Sequence, residues 1–223
     1  MKMIRYTSVV LICLLLTAAL LCSCDGNEQK TPPPALADVK DELILRIENS
    51  KQVNEIFWGE GLPVIPIGSA EAEELGLYTE QNPIMTDDYG AWEYVDPSKT
   101  DIISINAIKI LAESAYSDSY LKGVYSAQFD GLYDSLNVNV LDPHYYEDEF
   151  WIWKNSNSEE EFRVIYSTRE FDYSTMKIDE SQSSGERIYV RVDSYIDGQS
   201  GAESRTLVFD KQDNGWFLSS PTY

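Results

Sequence analysis

The spacing of apolar residues changes once along this chain, and that change decides the class of fold open to it. From Asp38 to Trp58, Val39, Leu43, Ile44, Ile47, Val53, Ile56 and Phe57 recur mostly three or four apart, the period of an amphipathic helix. Gly59 and Gly61 close it, and Pro63 and Pro66 forbid its continuation, because each lacks an N–H donor and biases its predecessor to extended backbone. Glu71, Glu73 and Glu74 behind Ser69 predict a short capped helix over Ser69 to Leu77. Trp92, Tyr94 and Val95 suit a strand. A second long helix starts around Ser104, with Ile105, Ile108, Leu111, Ala112, Ala115 and Tyr116 as its stripe, and a further one covers Asp118 to Gln128.

From about Tyr133 the period is two. Strands are expected at Phe150 to Lys154, Phe162 to Thr168, Tyr173 to Ile178, Ile188 to Ile196, Arg205 to Lys211 and Trp216 to Ser219. Asp213-Asn214-Gly215 reads as a tight hairpin turn, since Asn-Gly tolerates positive dihedrals. Helices first and up to six antiparallel strands afterwards make an α+β chain, with one sheet face under helices and the other facing a groove or water. The order of elements resembles the cystatin-like cone of the SnoaL and ketosteroid-isomerase group. That likeness implies a possible pocket and no particular activity.

Before the helices lies a leader. Lys2 and Arg5 form a basic head, and Val9 to Leu21 is an apolar run broken by Thr17, shorter than the ~20 residues of a membrane-spanning helix. Leu21-Cys22-Ser23-Cys24 resembles a bacterial lipobox. The resemblance implies cleavage before Cys24, acylation of its thiol, and a protein held by lipid at the outer face of the cytoplasmic membrane. An ordinary secretory signal that leaves Cys24 as a free thiol is the alternative, disfavoured in an oxidising compartment. The expected organisation is a signal over 1–23, the lipidated Cys24 and a spacer with Pro32-Pro33-Pro34 over 24–37, and one domain over 38–223.

Cys13 and Cys22 leave with such a leader, so no disulfide is expected and stability must come from burial. Losing Lys2 and Arg5 takes the formal charge from −21 to −23. That charge argues against nucleic acid or an anionic lipid surface as partner, and leaves a basic protein, a cation or plain solubility. Acidic residues cluster at Asp87-Asp88, Glu147-Asp148-Glu149 and Glu159-Glu160-Glu161.

Catalytic patterns are scarce. The lone histidine, His144, sits in a turn with no partner for a serine or cysteine nucleophile. One histidine and no further thiol do not fill a zinc site, and no phosphate loop or dinucleotide fingerprint occurs. Carboxylates are too abundant for any pair to stand out as a glycosidase dyad. Asp210 to Gly215 lacks the distal glutamate of a calcium loop. No enzyme, cofactor or metal is therefore expected.

Aromatic residues are plentiful: 15 Tyr, 7 Phe and 5 Trp. On a strand, Trp151 and Trp153 share one face and Phe150 and Ile152 the other. The stretch is either a buried central strand or an aromatic platform for a sugar or a partner. With Glu147, Asp148 and Glu149 beside it, the platform reading gives a candidate partner surface.

Three further stretches, Phe57 to Pro63, Tyr116 to Leu121 and Asn214 to Tyr223, look like lipoproteins of Firmicutes. More distantly, Asp38 to Tyr223 is similar to the IseA-type inhibitors of peptidoglycan DL-endopeptidases. That similarity implies a non-enzymatic protein that occludes the cleft of a cell-wall hydrolase, although a lipobox departs from a freely diffusing inhibitor. A small-ligand-binding cone and a structural envelope protein are the other expectations.

Overall fold

A 23-residue helix, α1 (Leu36–Trp58), is the element on which the rest is laid. The structure is a computed structural model and describes residues 31–80, 86–87, 90–130, 132–133, 139–141, 145–147, 152–155, 169–196 and 200–223. The expected leader with Cys24, Asp88, His144, the acidic run 159–161 and the expected strand Phe162 to Thr168 lie outside these residues, as does the side chain of Asp87. Among the described residues no helix is long and apolar enough to cross a membrane.

Val39, Leu43, Ile47, Val53, Ile56 and Phe57 of α1 are buried, as their spacing predicts. Ser50 and Asn54 are buried on the same stripe. The helix ends where glycine permits. Gly59 N–H reaches back to Asn54 and Glu55 oxygens, and Gly61 N–H to Glu55 O. Gly61 takes φ +75°, and a Cβ there would stand 2.9 Å from the Tyr145 hydroxyl and 3.1 Å from Lys154 Cδ.

The short helix α2 (Ala70–Glu74) is capped by Ser69, whose hydroxyl accepts from Ala72 N–H. Ser104 caps α3 (Ile105–Glu113) in the same way, and Ser117 caps α4 (Asp118–Tyr125). The last expected helix does not run on to Gln128 as α-helix. From Ser126 to Asp130 the chain is a π-helical turn. Gln128 is buried there and donates to Phe57 O, so the widened turn carries this side chain to the end of α1.

The expected single meander is two separate sheets. Strands β1 (Thr86–Asp87), β2 (Gly90–Tyr94), β5 (Tyr145–Glu147) and β6 (Ile152–Asn155) form one, in the order β1-β2-β6-β5, and a small pair joins β3 (Leu132–Tyr133) to β4 (Asn139–Leu141). The second large sheet is β7 (Arg169–Ile178), β8 (Arg187–Ile196), β9 (Glu203–Gln212) and β10 (Gly215–Leu218), each antiparallel to the next. Periodicity marks strands and is silent on partners, which is why 152–155 is legible as a strand and its sheet is not.

One face of the β7–β10 sheet packs on α1. Ile188, Val190, Val192, Leu207, Phe209 and Leu218 join the helix stripe with Ile108, Ala112, Ala115 and Tyr116 in the main core. A second cluster of Ile65, Ala72, Leu77, Trp92 and Tyr94 lies under β2. Tyr78, at φ 56°, fastens that cluster: its hydroxyl donates to Ile65 O at 2.9 Å and accepts from Tyr94 N–H at 2.8 Å. Burial pushes its phenol up to about 12.

The β9–β10 hairpin turns one residue earlier than Asn-Gly chemistry suggests. Gln212 pairs with Gly215, so Asp213 and Asn214 are the loop and Gly215, at φ +144°, opens β10. The outer side of β10 is occupied by the α3–α4 connection. Leu218 N–H donates to Ala115 O, and Ser117 N–H to Leu218 O, closing that edge against further pairing.

Candidate functional site

Closure of that edge makes a cleft. Its floor is Phe217, and its walls are Glu113 from the end of α3, Asp118 from the first turn of α4, and Gln212, Asp213 and Asn214 at the hairpin turn, around a volume of about 690 Å³. Beneath it Arg46 of α1 ties three elements together. Its Nε donates to Trp216 O at 3.0 Å, its Nη1 to Ser114 O at 2.7 Å, and the guanidinium lies 3.9 Å over the Phe217 ring, a cation–π contact as well as a double tether. Three carboxylates line the cleft, and the Arg46 guanidinium backs its buried aromatic floor.

Next along β9 and α4, hydroxyls converge on Asp210. Ser219 and Ser119 donate to Asp210 Oδ2, Ser117 lies 2.6 Å from Ser219, and Arg187 Nη2 donates to Asp210 Oδ2 at 2.8 Å. The Arg187 guanidinium holds the Asp210 carboxyl below the usual carboxylate range, with the serines adding to it against partial burial. A carboxylate engaged in this way is a poor proton acceptor. Glu113 accepts from Tyr125, whose phenol is pushed up by burial and by the carboxylate beside it.

The candidate partner surface is placed in part. Glu147 is exposed at the end of β5, and its Oε2 accepts from Ile105 N–H at 2.9 Å. It satisfies a free donor at the start of α3 and suits the helix dipole. Tyr146, next to it, is exposed and meets Trp92 edge-on at 6.2 Å. Trp153 pairs by backbone with Tyr94 and Tyr146 in the middle of its sheet. Asp148, Glu149, Trp151 and the Trp153 side chain lie outside the described residues. Glu147 and Glu113 mark opposite ends of α3, about 12 Å apart by helix rise.

Sequence reasoning passed over Glu113 and Asp118, and took Asp213 only as a turn residue. Nothing local marks them, because their meeting depends on β10 lying against the α3–α4 connection. Lys154 was also missed: it is buried, and its ammonium donates to Glu60 O at 2.6 Å and Leu62 O at 3.3 Å. With Tyr145, whose hydroxyl accepts from Leu62 N–H and donates to Ile56 O, it explains the conformation of the Gly59–Pro63 stretch.

Among the described residues no three His, Cys, Asp or Glu side chains converge to hold a metal ion. No protein-family model matches the chain, and no curated protein matches it.

Proposed function

We propose that this chain is a lipid-anchored, extracytoplasmic binding protein that regulates or inhibits a peptidoglycan hydrolase of the DL-endopeptidase class, acting by occupancy and not by catalysis. The observation that carries the reading is the acidic cleft around Phe217, in a chain with 38 acidic and 17 basic residues. A cleft ringed by carboxylates suits a basic partner surface, because opposite charge steers encounter. The leader ending at Cys24 supports the location, and the likeness to IseA-type inhibitors supports the class of partner.

The full-length chain, added to a DL-endopeptidase digesting purified peptidoglycan, is expected to slow release of stem-peptide fragments in a dose-dependent way. Inhibition weakens as salt rises past ~0.15 M, where charges more than ~8 Å apart are screened. The Glu113→Gln/Asp213→Asn variant weakens it further without unfolding the chain. Equal inhibition by an unrelated protein of the same charge, or none at all, removes the proposal.

A further inference from the structure

The open face of the β7–β10 sheet carries a different chemistry. Lys177 of β7 and Arg191 of β8 are direct cross-strand partners, and Thr206 of β9 continues the row. Like charges directly opposite each other destabilise an antiparallel pair. Arg191 is partly compensated, 3.3 Å from Asp179. The Lys177 ammonium has no hydrogen bond or ion pair among the described residues.

Beside this pair β7 bulges. Asp172 faces Asp193 and Lys177 faces Arg191, so residues 173–176 stand against Val192 alone. The bulge satisfies itself. Asp172 Oδ1 accepts from the N–H and hydroxyl of Ser174, and the Thr175 hydroxyl donates to Asp172 O and accepts from Asp193 N–H. Such insertions re-aim side chains, and here the result is a cleft of about 580 Å³ lined by Ser174, Thr175, Lys177, Arg191, Asp193 and Ser204.

We propose that this cleft binds the oxyanion of a small molecule or polymer, a phosphate or a carboxylate, between Lys177 and Arg191, with the Ser204 hydroxyl as a further donor. Bound there, the anion removes the repulsion that the row otherwise carries. Asp193 in the same cleft accepts hydrogen bonds, which selects ligands with a hydroxyl beside the anion. The overall charge of −21 does not forbid this, since at physiological salt repulsion from charges beyond ~8 Å is screened. The proposal is independent of the hydrolase reading, which rests on a different cleft.

The test is a titration of the ¹⁵N-labelled full-length chain in detergent micelles at ~0.15 M salt, with glycerol 3-phosphate in one arm and lactate in the other. Saturable shifts confined to amides around Thr175, Lys177, Arg191 and Thr206 are expected in at least one arm, and the arm that saturates assigns phosphate or carboxylate. The Lys177→Gln/Arg191→Gln variant should weaken binding at least tenfold while melting close to wild type, because relief of the like-charge pair offsets loss of the exposed Arg191–Asp179 pair. A Lys109→Gln/Lys122→Gln variant, with the same charge change on α3 and α4, should bind as wild type. Absence of saturation in both arms, shifts spread over all lysines and arginines, or an equal loss in the control variant would each overturn the site.

Discussion

Glu42 stands where a side chain on Gly215 would have to be: a Cβ at Gly215 would lie 1.9 Å from Glu42 Oε1. The same oxygen accepts from Trp216 N–H at 2.8 Å. Helix and hairpin are joined by a carboxylate that uses the missing side chain as its berth.

Gly215→Ala should therefore destabilise the fold by about 1–3 kcal/mol, the usual cost of overpacking, with the positive φ adding to it. Urea unfolding of Gly215→Ala, Glu42→Ala and the double variant separates the two contributions. In the Glu42→Ala background the steric part disappears and only the backbone cost is left. Strict additivity of the two changes would show that the carboxylate does not sit there.

Tyr78→Phe removes one hydroxyl and disturbs two backbone groups, Ile65 O and Tyr94 N–H. A loss of about 1–3 kcal/mol is expected, without a change in the slope of the urea curve. A loss below ~0.5 kcal/mol, within the range of unremarkable substitutions, would mean that other groups or water replace the hydroxyl.

Thr222 closes a buried network: Asn54 Nδ2 donates to its hydroxyl, Ser50 lies 2.7 Å from it, and Tyr116, itself bonded to Asn54 Oδ1, lies 3.2 Å away. Thr222→Val keeps the shape and strands polar partners, so it should cost about 1–3 kcal/mol. Thr222→Ser, which keeps the hydroxyl, should cost less than Val. The reverse order would assign the effect to packing of the methyl group.

Acid should act through Asp210. Its folded pKa lies below the ordinary carboxylate value because of Arg187. Its contribution is thus complete above the ordinary value of ~4 and is lost as pH falls through the folded pKa. Urea midpoints from pH 7 to 2.5 should show wild type more stable than Asp210→Asn near neutrality, with the gap narrowing below pH ~4. A gap independent of pH would exclude the charged pair as its source.

Helices were legible where capping and periodicity agree: Ser69 caps as expected, and the helices expected near Ser104 and Asp118 start there, capped by Ser104 and Ser117. The α+β class followed from the change of period. Two things were not legible. Ser50 and Asn54 sit on the apolar stripe of α1 at positions that polarity alone assigns to solvent, and only the distant Thr222 and Tyr116 make their burial tolerable. The acidic cleft was hidden for a related reason. Glu113, Asp118 and Asp213 are ordinary surface carboxylates until β10 finds the α3–α4 connection.

The bonds that seat α1 come from very late in the chain. Glu42 and Asn54 wait for Trp216 and Thr222, 174 and 168 residues further on. Contacts of such separation close slowly, since the loop entropy must be met before the contact returns anything. During synthesis the apolar stripe of α1 is made long before the sheet that covers it. If the chain is exported as proposed, contacts that close this late suit a translocation channel, which passes a chain before it folds.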